Sequence, residues 1–420
     1  MDTFLISQFQ KHGGIFRLPF FPATVVVVAN AQDARTISTN RSNLKPDMVY
    51  APVIHLASGP SVGSLAGRLG DSWHHRRQAL NLAFAPKLVK QMNQVALNTA
   101  NRWLAQTILP PLDAGSFSVS FDVGKEMVRL SFRVICRAAL DYHVPDAECE
   151  DLLGAIAATA EEFLVKSMIN PLRKLATPFL AKRQEGFKGA ELLRAFATKV
   201  IRLYREDPSP TPDTVIDHIM KNPNYKDDSE RVPDVIMILF AGHDTTGYTM
   251  ALALQELAKH PNEQELLREH LKTEDGKRGY LNAVLNETMR LHPAGSLTTI
   301  RQLGNDYTSA HKGNYFVPKG SIVIVAQVAV TRDPTLFPEP HRFRPSRWLH
   351  PQDTEAAKRA LFPFSVGHRN CVGQSLAMAE LRSILPLLIS QFRFTVEEEG
   401  KITTKGTIRL DNCVLKASRV

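Results

Sequence analysis

A cysteine near the C-terminus lies in a window that suits a metal-bound thiolate. The window reads F-S-V-G-H-R-N-C-V-G, in which Cys371 follows Gly367 and Arg369 and precedes Gly373. A thiolate persists where N–H groups and positive charge lie near the sulfur, and glycines let the backbone turn sharply enough to bring N–H groups close. Phe364 would pack beside the sulfur and exclude water. The alternative is a structural cysteine buried as a small apolar residue.

A zinc site is a weaker interpretation of the same window. No pair of cysteines or histidines with the usual zinc-ligand spacing surrounds Cys371. His368 is close in sequence, but its place on a turn predicts that it faces solvent or a partner.

A polar run interrupts the most apolar helical segment of the chain. It contains Ala241, Gly242, Asp244 and Thr245, and three of these four residue types are mediocre inside a helix. A threonine hydroxyl can bond to the carbonyl four residues earlier and bend the helix, and Gly242 would leave room for a flat cofactor and dioxygen. Asp244 and Thr245 form an acid–alcohol pair that could relay protons. The alternative is a polar kink in a buried helix.

Two charged or aromatic pairs stand at helical spacing. Glu287 and Arg290 lie at i and i+3, which by itself usually indicates a solvated salt bridge. Trp73 and Arg77 lie at i and i+4, which by itself indicates a surface cation–π pair. Arg301 follows eleven residues after Arg290. Each of these signals is weak alone.

Taken in order along the chain, these motifs resemble those of cytochrome P-450 monooxygenases of the eukaryotic type. The matching patterns are W-x-x-x-R, A-G-x-[DE]-T-[TS], E-x-x-R, F-x-P-x-R-[FW] and F-x-x-G-x-R-x-C-x-G. The resemblance implies one domain over residues 1–420 with a mainly α fold and a minor β-sheet (α+β). It also implies haem b between the long central helix and the helix that follows Cys371.

The resemblance assigns roles to individual residues. Cys371 would be the axial ligand of the haem iron, and Thr245 and Asp244 would deliver protons. Haem would be bound by Cys371, Arg369, Phe364, Gly367, Gly373, Trp73, Arg77, Arg301, Ala241 and Gly242, with the three arginines at the two propionates. A buried network that positions the cysteine loop would consist of Glu287, Arg290 and Arg347.

The implied activity is a haem-thiolate monooxygenase that inserts one atom of O2 into a lipophilic substrate by hydroxylation or epoxidation. Electrons would come from NADPH through a flavoprotein reductase or a ferredoxin, because the chain shows no Rossmann or flavin motif of its own. The alternatives are a haem-thiolate isomerase or dehydratase that works without O2, and a non-catalytic haem sensor.

Composition sets limits on partners and location. The chain has 420 residues and a formal net charge of +9, but no nucleic-acid-binding motif, so the charge fits an acidic protein partner or an anionic membrane surface. The four cysteines, Cys136, Cys149, Cys371 and Cys413, are too few and scattered for a disulfide framework. We expect a monomer.

The start of the chain resembles neither a signal peptide nor a membrane anchor, and no run of about 18 apolar residues occurs. The expected location is therefore intracellular. It is cytoplasmic, or membrane-associated at the endoplasmic reticulum or an organelle if an anchor or transit segment is missing from this chain.

The predicted elements place these motifs. Strands are expected from Ile15 and Thr24, one long helix from Pro233 to His260, a last helix over residues 374–391 and a final β-hairpin, with residues 317–330 strand-rich and 333–363 irregular. A lipophilic substrate wall would include Val53, Ile54, Leu56, Phe163, Ile238, Phe240, Leu297 and Ile300. A docking face for an electron donor would include His74, His75, Arg76, Lys358, Arg359, His368 and Arg382.

Overall fold

Helices make up most of the structure. The computed structural model describes residues 2–20, 23–46, 71–166, 180–295, 299–310 and 314–420. The helices are α1 (Asp2–His12), α2 (Ala31–Thr39), α3 (Asp71–Ala83), α4 (Pro86–Trp103), α5 (Leu109–Asp113), α6 (Val123–Leu140), α7 (Asp146–Ala160), α8 (Ala181–Glu206), α9 (Val215–Lys221), α10 (Asp228–Gly242), α11 (Asp244–Lys259), α12 (Pro261–His270), α13 (Glu274–Leu291), α14 (Gln327–Val330), α15 (Pro351–Ala360) and α16 (Gln374–Gln391). Segments of π-helix continue α4 and α7 over Leu104–Ile108 and Glu161–Lys166. The mainly α prediction is confirmed.

The strands form small sheets within the described residues. They are β1 (Ile15–Phe20), β2 (Ala23–Val28), β3 (Val119–Asp122), β4 (Thr299–Gln302), β5 (Tyr307–Thr308), β6 (Phe316–Val317), β7 (Ile322–Val325), β8 (Phe392–Glu398), β9 (Lys401–Lys405), β10 (Thr407–Asp411) and β11 (Val414–Arg419). The largest sheet has the order β1-β2-β7-β4, with β2 and β7 parallel. Its last strand, β4, contains Arg301.

Helix α11 is the centre of the core. Residues Met250 to Leu254 are all fully buried, as expected for a helix that is covered on every side. It packs on α6, α13, α16 and the strands β8 and β10. The polar run at its N-terminal end is therefore anchored in the buried core.

The prediction of a single helix from Pro233 to His260 is wrong, because two helices, α10 and α11, occupy this part of the chain. Its first part, α10, begins at Asp228, because the Asp227 side chain accepts a hydrogen bond from the Ser229 N–H and caps the helix there. Pro233 consequently lies inside the helix. The chain then bends at His243 before α11 begins.

Other elements also differ from the sequence-based expectation. Helix α1 precedes the first strand, although no helix was expected there, and α15 occupies part of the segment expected to be irregular. The segment 317–330 holds only β7 and the end of β6 before it turns into α14. The C-terminal segment contains four strands, of which β9 and β10 form a hairpin while β8 and β11 pair in a separate sheet with β3. In the part of the chain that the structure describes, no helix has the length and apolar character needed to cross a bilayer.

Candidate active site

The cysteine loop is closed by backbone hydrogen bonds. The Cys371 N–H donates to the Phe364 carbonyl at 2.8 Å, and the Asn370 N–H donates to the Gly367 carbonyl at 3.1 Å. Gly367 has a φ of 81°, and a Cβ there would come within 2.8 Å of the backbone of Ser38 at the end of α2. Only glycine meets both conditions, so this is the sharp turn that the sequence predicts.

The sulfur of Cys371 opens onto a cavity of about 1490 Å³. Its other sides are enclosed by protein, and this burial raises the pKa of the Cys371 thiol, although the N–H groups of Gly373 and Gln374 and the charge of Arg77 oppose the shift. The sulfur also sits just before α16, where the helix dipole favours negative charge. A bound metal cation is the additional charge that would make the thiolate persist.

Four cations from separate parts of the chain interact with one another near the cysteine loop, and one of them, Arg77, lines this cavity. Arg77 comes from α3, Arg301 from β4, Arg369 from the cysteine loop and Lys45 from the segment after α2. Burial, followed by the charges of Arg369, Arg301 and Arg77, lowers the pKa of Lys45 to about 7. The repulsion that this reflects would be relieved by a ligand with two carboxylates.

Neighbouring side chains orient these cations. The Arg369 guanidinium lies over the Trp73 ring, 3.7 Å from its centroid. Arg77 donates to the Asn370 side chain at 2.8 Å and to Asn81 at 3.1 Å. Trp73 therefore supports Arg369, a residue distant in sequence, rather than pairing with Arg77 one turn along its own helix.

His368 does not face solvent as expected. It is half-buried, borders the cavity and meets the Trp73 ring edge-on at 6.3 Å. Neither of its ring nitrogens has a hydrogen-bond partner among the described residues. Burial, together with the charges of Arg301 and Arg369, lowers its pKa. The lowered pKa favours the neutral form of its imidazole.

The polar run stands at the bend between α10 and α11. The Thr245 hydroxyl donates to the Ala241 carbonyl at 3.1 Å, as the predicted i−4 bond requires. The His243 ring nitrogen Nδ1 bonds to the Leu239 carbonyl at 2.7 Å. Asp244 is held from outside the helix, because its Oδ2 accepts from the Thr407 hydroxyl at 2.5 Å.

The role expected for Gly242 needs correction. A Cβ on Gly242 would lie 2.7 Å from the side chain of Ile135 on α6, so the missing side chain permits close packing of two helices rather than leaving room for a cofactor. Ala241, by contrast, is exposed although its helix is largely buried.

The buried network predicted from Glu287, Arg290 and Arg347 forms as a saturated cluster. The Glu287 carboxylate accepts two bonds from Arg290 at 2.8 and 2.9 Å and one from Arg347 at 2.9 Å. It accepts two more from the Trp348 indole and the Arg344 N–H, both at 2.9 Å. Burial raises the pKa of Glu287, but the bonds and charges of the arginines outweigh it and lower the pKa overall.

The arginines of this network also fix the irregular chain before the cysteine loop. Arg290 donates to the carbonyls of Thr331, Pro340 and Arg342 at 3.1, 2.6 and 3.1 Å. Arg347 donates to the Pro338 carbonyl at 2.9 Å. The network therefore holds a segment that has little regular secondary structure of its own.

The prediction is wrong for one residue of the docking face, which is buried. Arg76 is only 1% exposed, and it pairs with Glu230 at 2.7 Å and with Asp234 at 3.6 Å. These partners could not be predicted from the sequence because they lie more than 150 residues away. The others are exposed or half-buried: His74, His75, Lys358, Arg359, His368 and Arg382.

The predicted substrate wall is only partly described. Phe163 is buried against the ring of Phe187, 5.4 Å away, and Ile238 is buried in the core. Phe240 and Ile300 are partly buried at the edge of hydrophobic clusters. The remaining members lie outside the described residues: Val53, Ile54, Leu56 and Leu297.

Comparison with known proteins agrees with a haem-thiolate class of site. The family profile of cytochrome P450 matches residues 1–414. Probable cytochrome P450 4s3 of Drosophila melanogaster is 26% identical, over 93% of this chain and 82% of that protein. Cytochrome P450 705A22 of Arabidopsis thaliana is 25% identical, over 95% and 82%. The (+)-piperitol/(+)-sesamin synthase CYP81Q2 of Sesamum radiatum is 27% identical, over 94% and 80%.

The chain therefore belongs to the cytochrome P450 family, whose members are haem-thiolate monooxygenases. The residues present fit haem. A sulfur with N–H donors faces a cavity, and a cluster of mutually repelling cations beside it suits two propionates. The sequence did not reveal the roles of Lys45 or Asn370, since Lys45 belongs to no recognisable motif and Asn370 occupies a variable position of the cysteine window.

Removing Arg290 or Arg347 should prevent the protein from holding its fold and its haem. Either change to alanine leaves Glu287 as an incompletely compensated buried charge, which costs about 3–5 kcal/mol. Arg342→Ala is the matched control, because Arg342 is exposed in the same segment and contributes its backbone carbonyl to the network. Haem content and urea unfolding measure the outcome. Normal haem content in both variants would contradict the role of the network.

The pKa of Lys45 predicts a pH dependence of stability in the haem-free protein. Between about pH 7 and pH 10.5 the unfolded chain keeps the proton that the folded chain has lost, so stability should rise with pH. Lys45→Met should flatten this rise, whereas Lys358→Met, at an exposed lysine, should not. Urea unfolding at several pH values tests this, and identical slopes in the parent and Lys45→Met would refute it.

Proposed function

We propose that this protein hydroxylates or epoxidises a lipophilic substrate with one atom of O2, using electrons from NADPH supplied by a separate protein. The observation that carries the proposal is the Cys371 sulfur, which faces a cavity lined by Arg77, a member of the cation cluster with Lys45, Arg301 and Arg369. Haem b held there would supply the activation of dioxygen by two electrons and two protons. We further propose that the chain acts as one domain and as a monomer.

The protein's own groups would prepare that chemistry. Cys371 supplies the thiolate, and the N–H groups of Gly373 and Gln374 stabilise its charge. The four cations and the neutral His368 would orient the cofactor through its carboxylates. Phe364, which lines the cavity beside the sulfur, would limit the access of water.

Proton delivery is assigned to the bend between α10 and α11. The Thr245 hydroxyl is fixed by its bond to the Ala241 carbonyl, and Asp244 is the next residue. An acid next to an alcohol can pass a proton on. The same pair favours oxygen activation over the isomerase and sensor alternatives, for which a proton relay to dioxygen has no use.

Cys371→Ser is the direct test of the proposed ligand. The serine hydroxyl cannot supply a thiolate, so the variant should lose the thiolate signature of the reduced, carbon monoxide-treated protein, or fail to retain haem. Cys413→Ser, at a cysteine remote from this loop, serves as the control. A parent-like spectrum in the Cys371 variant would exclude it as the ligand.

Thr245→Ala should separate oxygen consumption from product formation. The hydroxyl is not proposed as a ligand, so haem content should be unchanged. Without it, protons reach the bound oxygen less efficiently, and the product formed per NADPH should fall while hydrogen peroxide rises. Thr245→Ser is the matched control because it keeps the hydroxyl. An unchanged ratio of product to NADPH in the alanine variant would leave Thr245 as a residue that only bends the helix.

Electrons would enter on the basic side of the cavity that Cys371 borders. This cavity is also lined by Arg41, His74, Lys358 and Arg382. An acidic reductase or ferredoxin would be attracted to such a surface.

Reduction by the donor should therefore slow as ionic strength rises, because salt screens charges on exposed surfaces. Lys358→Gln and Arg382→Gln should weaken this dependence, whereas Arg393→Gln, on the exposed face of β8, should not. Stopped-flow reduction over a salt series measures the effect. A rate that does not change with salt would count against electrostatic docking.

A further inference from the structure

Strand β10 of the C-terminal hairpin contacts the carboxylate to which the proton relay is assigned. The Thr407 hydroxyl donates to Asp244 Oδ2 at 2.5 Å, and the Arg409 guanidinium Nη2 lies 3.8 Å from the same oxygen. Both residues are about 160 positions away from Asp244 in sequence. No motif in the chain points to either of them.

The alternation of strand β10 explains why these two residues act together. Thr407 and Arg409 are two positions apart and share one face of the strand, whereas Ile408 and Leu410 point the other way and are buried. The polar face of the strand therefore meets the helix bend at Asp244, and the apolar face anchors the strand in the core.

The strand has little freedom to move away from the helix. The Ile408 N–H donates to the Ala294 carbonyl at 2.9 Å. Gly124 on α6 lies so close that a Cβ there would be 2.2 Å from the Leu410 carbonyl oxygen. The hairpin partner β9 pairs with the whole strand. Three neighbours thus fix the groups that hold Asp244.

The surroundings of Asp244 are enclosed, and Asp411 and Asp122 are the further acidic groups whose charges act on nearby Tyr248. The Asp244 side chain is 13% exposed and the Arg409 side chain 18%, so the attraction between them is less screened than at an open surface. His243 is buried, and burial lowers its pKa. Burial, then the charge of Asp244, raises the pKa of Tyr248 to about 12. Arg409 is the positive charge that faces the carboxylate, and its Nε has no hydrogen-bond partner among the described residues.

We propose that Thr407 and Arg409 are positioning residues of the proton relay, which hold the Asp244 carboxylate at the hairpin side of the helix bend. The inference rests on the proposed function. One Asp244 oxygen is occupied by the hairpin, which leaves the other to exchange protons. Thr245, the next residue, receives them. Loss of the hairpin contacts would let the carboxylate turn away and would slow proton delivery without removing the acid itself.

A pair of oxidants distinguishes proton delivery from other effects in the holoprotein. With hydrogen peroxide, cleavage of the O–O bond releases water only if a proton reaches the departing oxygen. With peracetic acid, the departing group is acetate, which is stable as an anion and needs no proton. In each case the oxidant gains two electrons, which two molecules of a chromogenic one-electron donor supply. The ratio of the two initial rates therefore reports on the relay and needs neither a reductase nor the natural substrate.

The variants are Arg409→Gln, Thr407→Val, Asp244→Asn and the double variant Arg409→Gln/Asp244→Asn. We expect each single change to lower the peroxide-to-peracetate ratio by about tenfold or more. The double variant should be no worse than Asp244→Asn alone, because Arg409 acts through Asp244. Arg409→Lys and Thr407→Ser should restore most of the ratio, and Arg393→Gln should leave it unchanged.

Urea unfolding of the same holoproteins gives a readout that is independent of turnover. Arg409→Gln and Asp244→Asn should be non-additive in the free energy of unfolding if the two side chains interact. A ratio that stays unchanged or rises in Arg409→Gln, while Asp244→Asn lowers it, would overturn the inference and leave the relay intact. An unchanged ratio in Asp244→Asn itself would overturn both the relay and its positioning by the hairpin.

Discussion

The haem-binding half of the molecule depends on the hydrogen bonds and ion pairs that the Glu287 carboxylate makes. This carboxylate is completely buried, and five donors from four residues surround its two oxygens. A buried ion is stable only when its partners are complete. The chain meets this condition by bringing α13 against the Pro345–Trp348 turn. The segment between them then has no freedom to rearrange.

The network positions the cysteine loop because its arginines bind backbone carbonyls, rather than side chains, of the segment before the loop. Arg290 and Arg347 bind carbonyl groups from Thr331 to Arg342, which regular secondary structure does not satisfy. The loop that follows is fixed from the other side, where Gly367 touches the end of α2. The sulfur of Cys371 is thus placed by contacts at both ends of its loop, and α16 begins immediately behind it. A ligand position of this kind is determined by the whole fold and not by the loop alone.

The sequence predicted the parts of the site that are local. The turn at Gly367 and the i−4 bond of Thr245 each involve residues a few positions apart, so spacing alone carries the information. The burial of the Glu287–Arg290 pair was expected only from the family resemblance, because spacing alone indicates a solvated pair. The burial of Arg76 escaped prediction because contacts far along the chain decide it. The same holds for Lys45 and for the Thr407 and Arg409 contacts to Asp244. Gly242 shows a further limit, since a glycine in a motif does not reveal which neighbour requires it to be small.

The two charged clusters of the molecule are opposite in kind, and the difference links folding to cofactor binding. Around Glu287 the protein supplies both signs of charge and the cluster is neutralised within the chain. Around Lys45, burial and then the charges of Arg369, Arg301 and Arg77 lower its pKa. A dianionic cofactor would be attracted to such a group, and a ligand that binds only the folded state stabilises it. The Glu287 cluster is therefore complete without a cofactor, whereas a cofactor bound beside Lys45 would add to the stability of the folded protein.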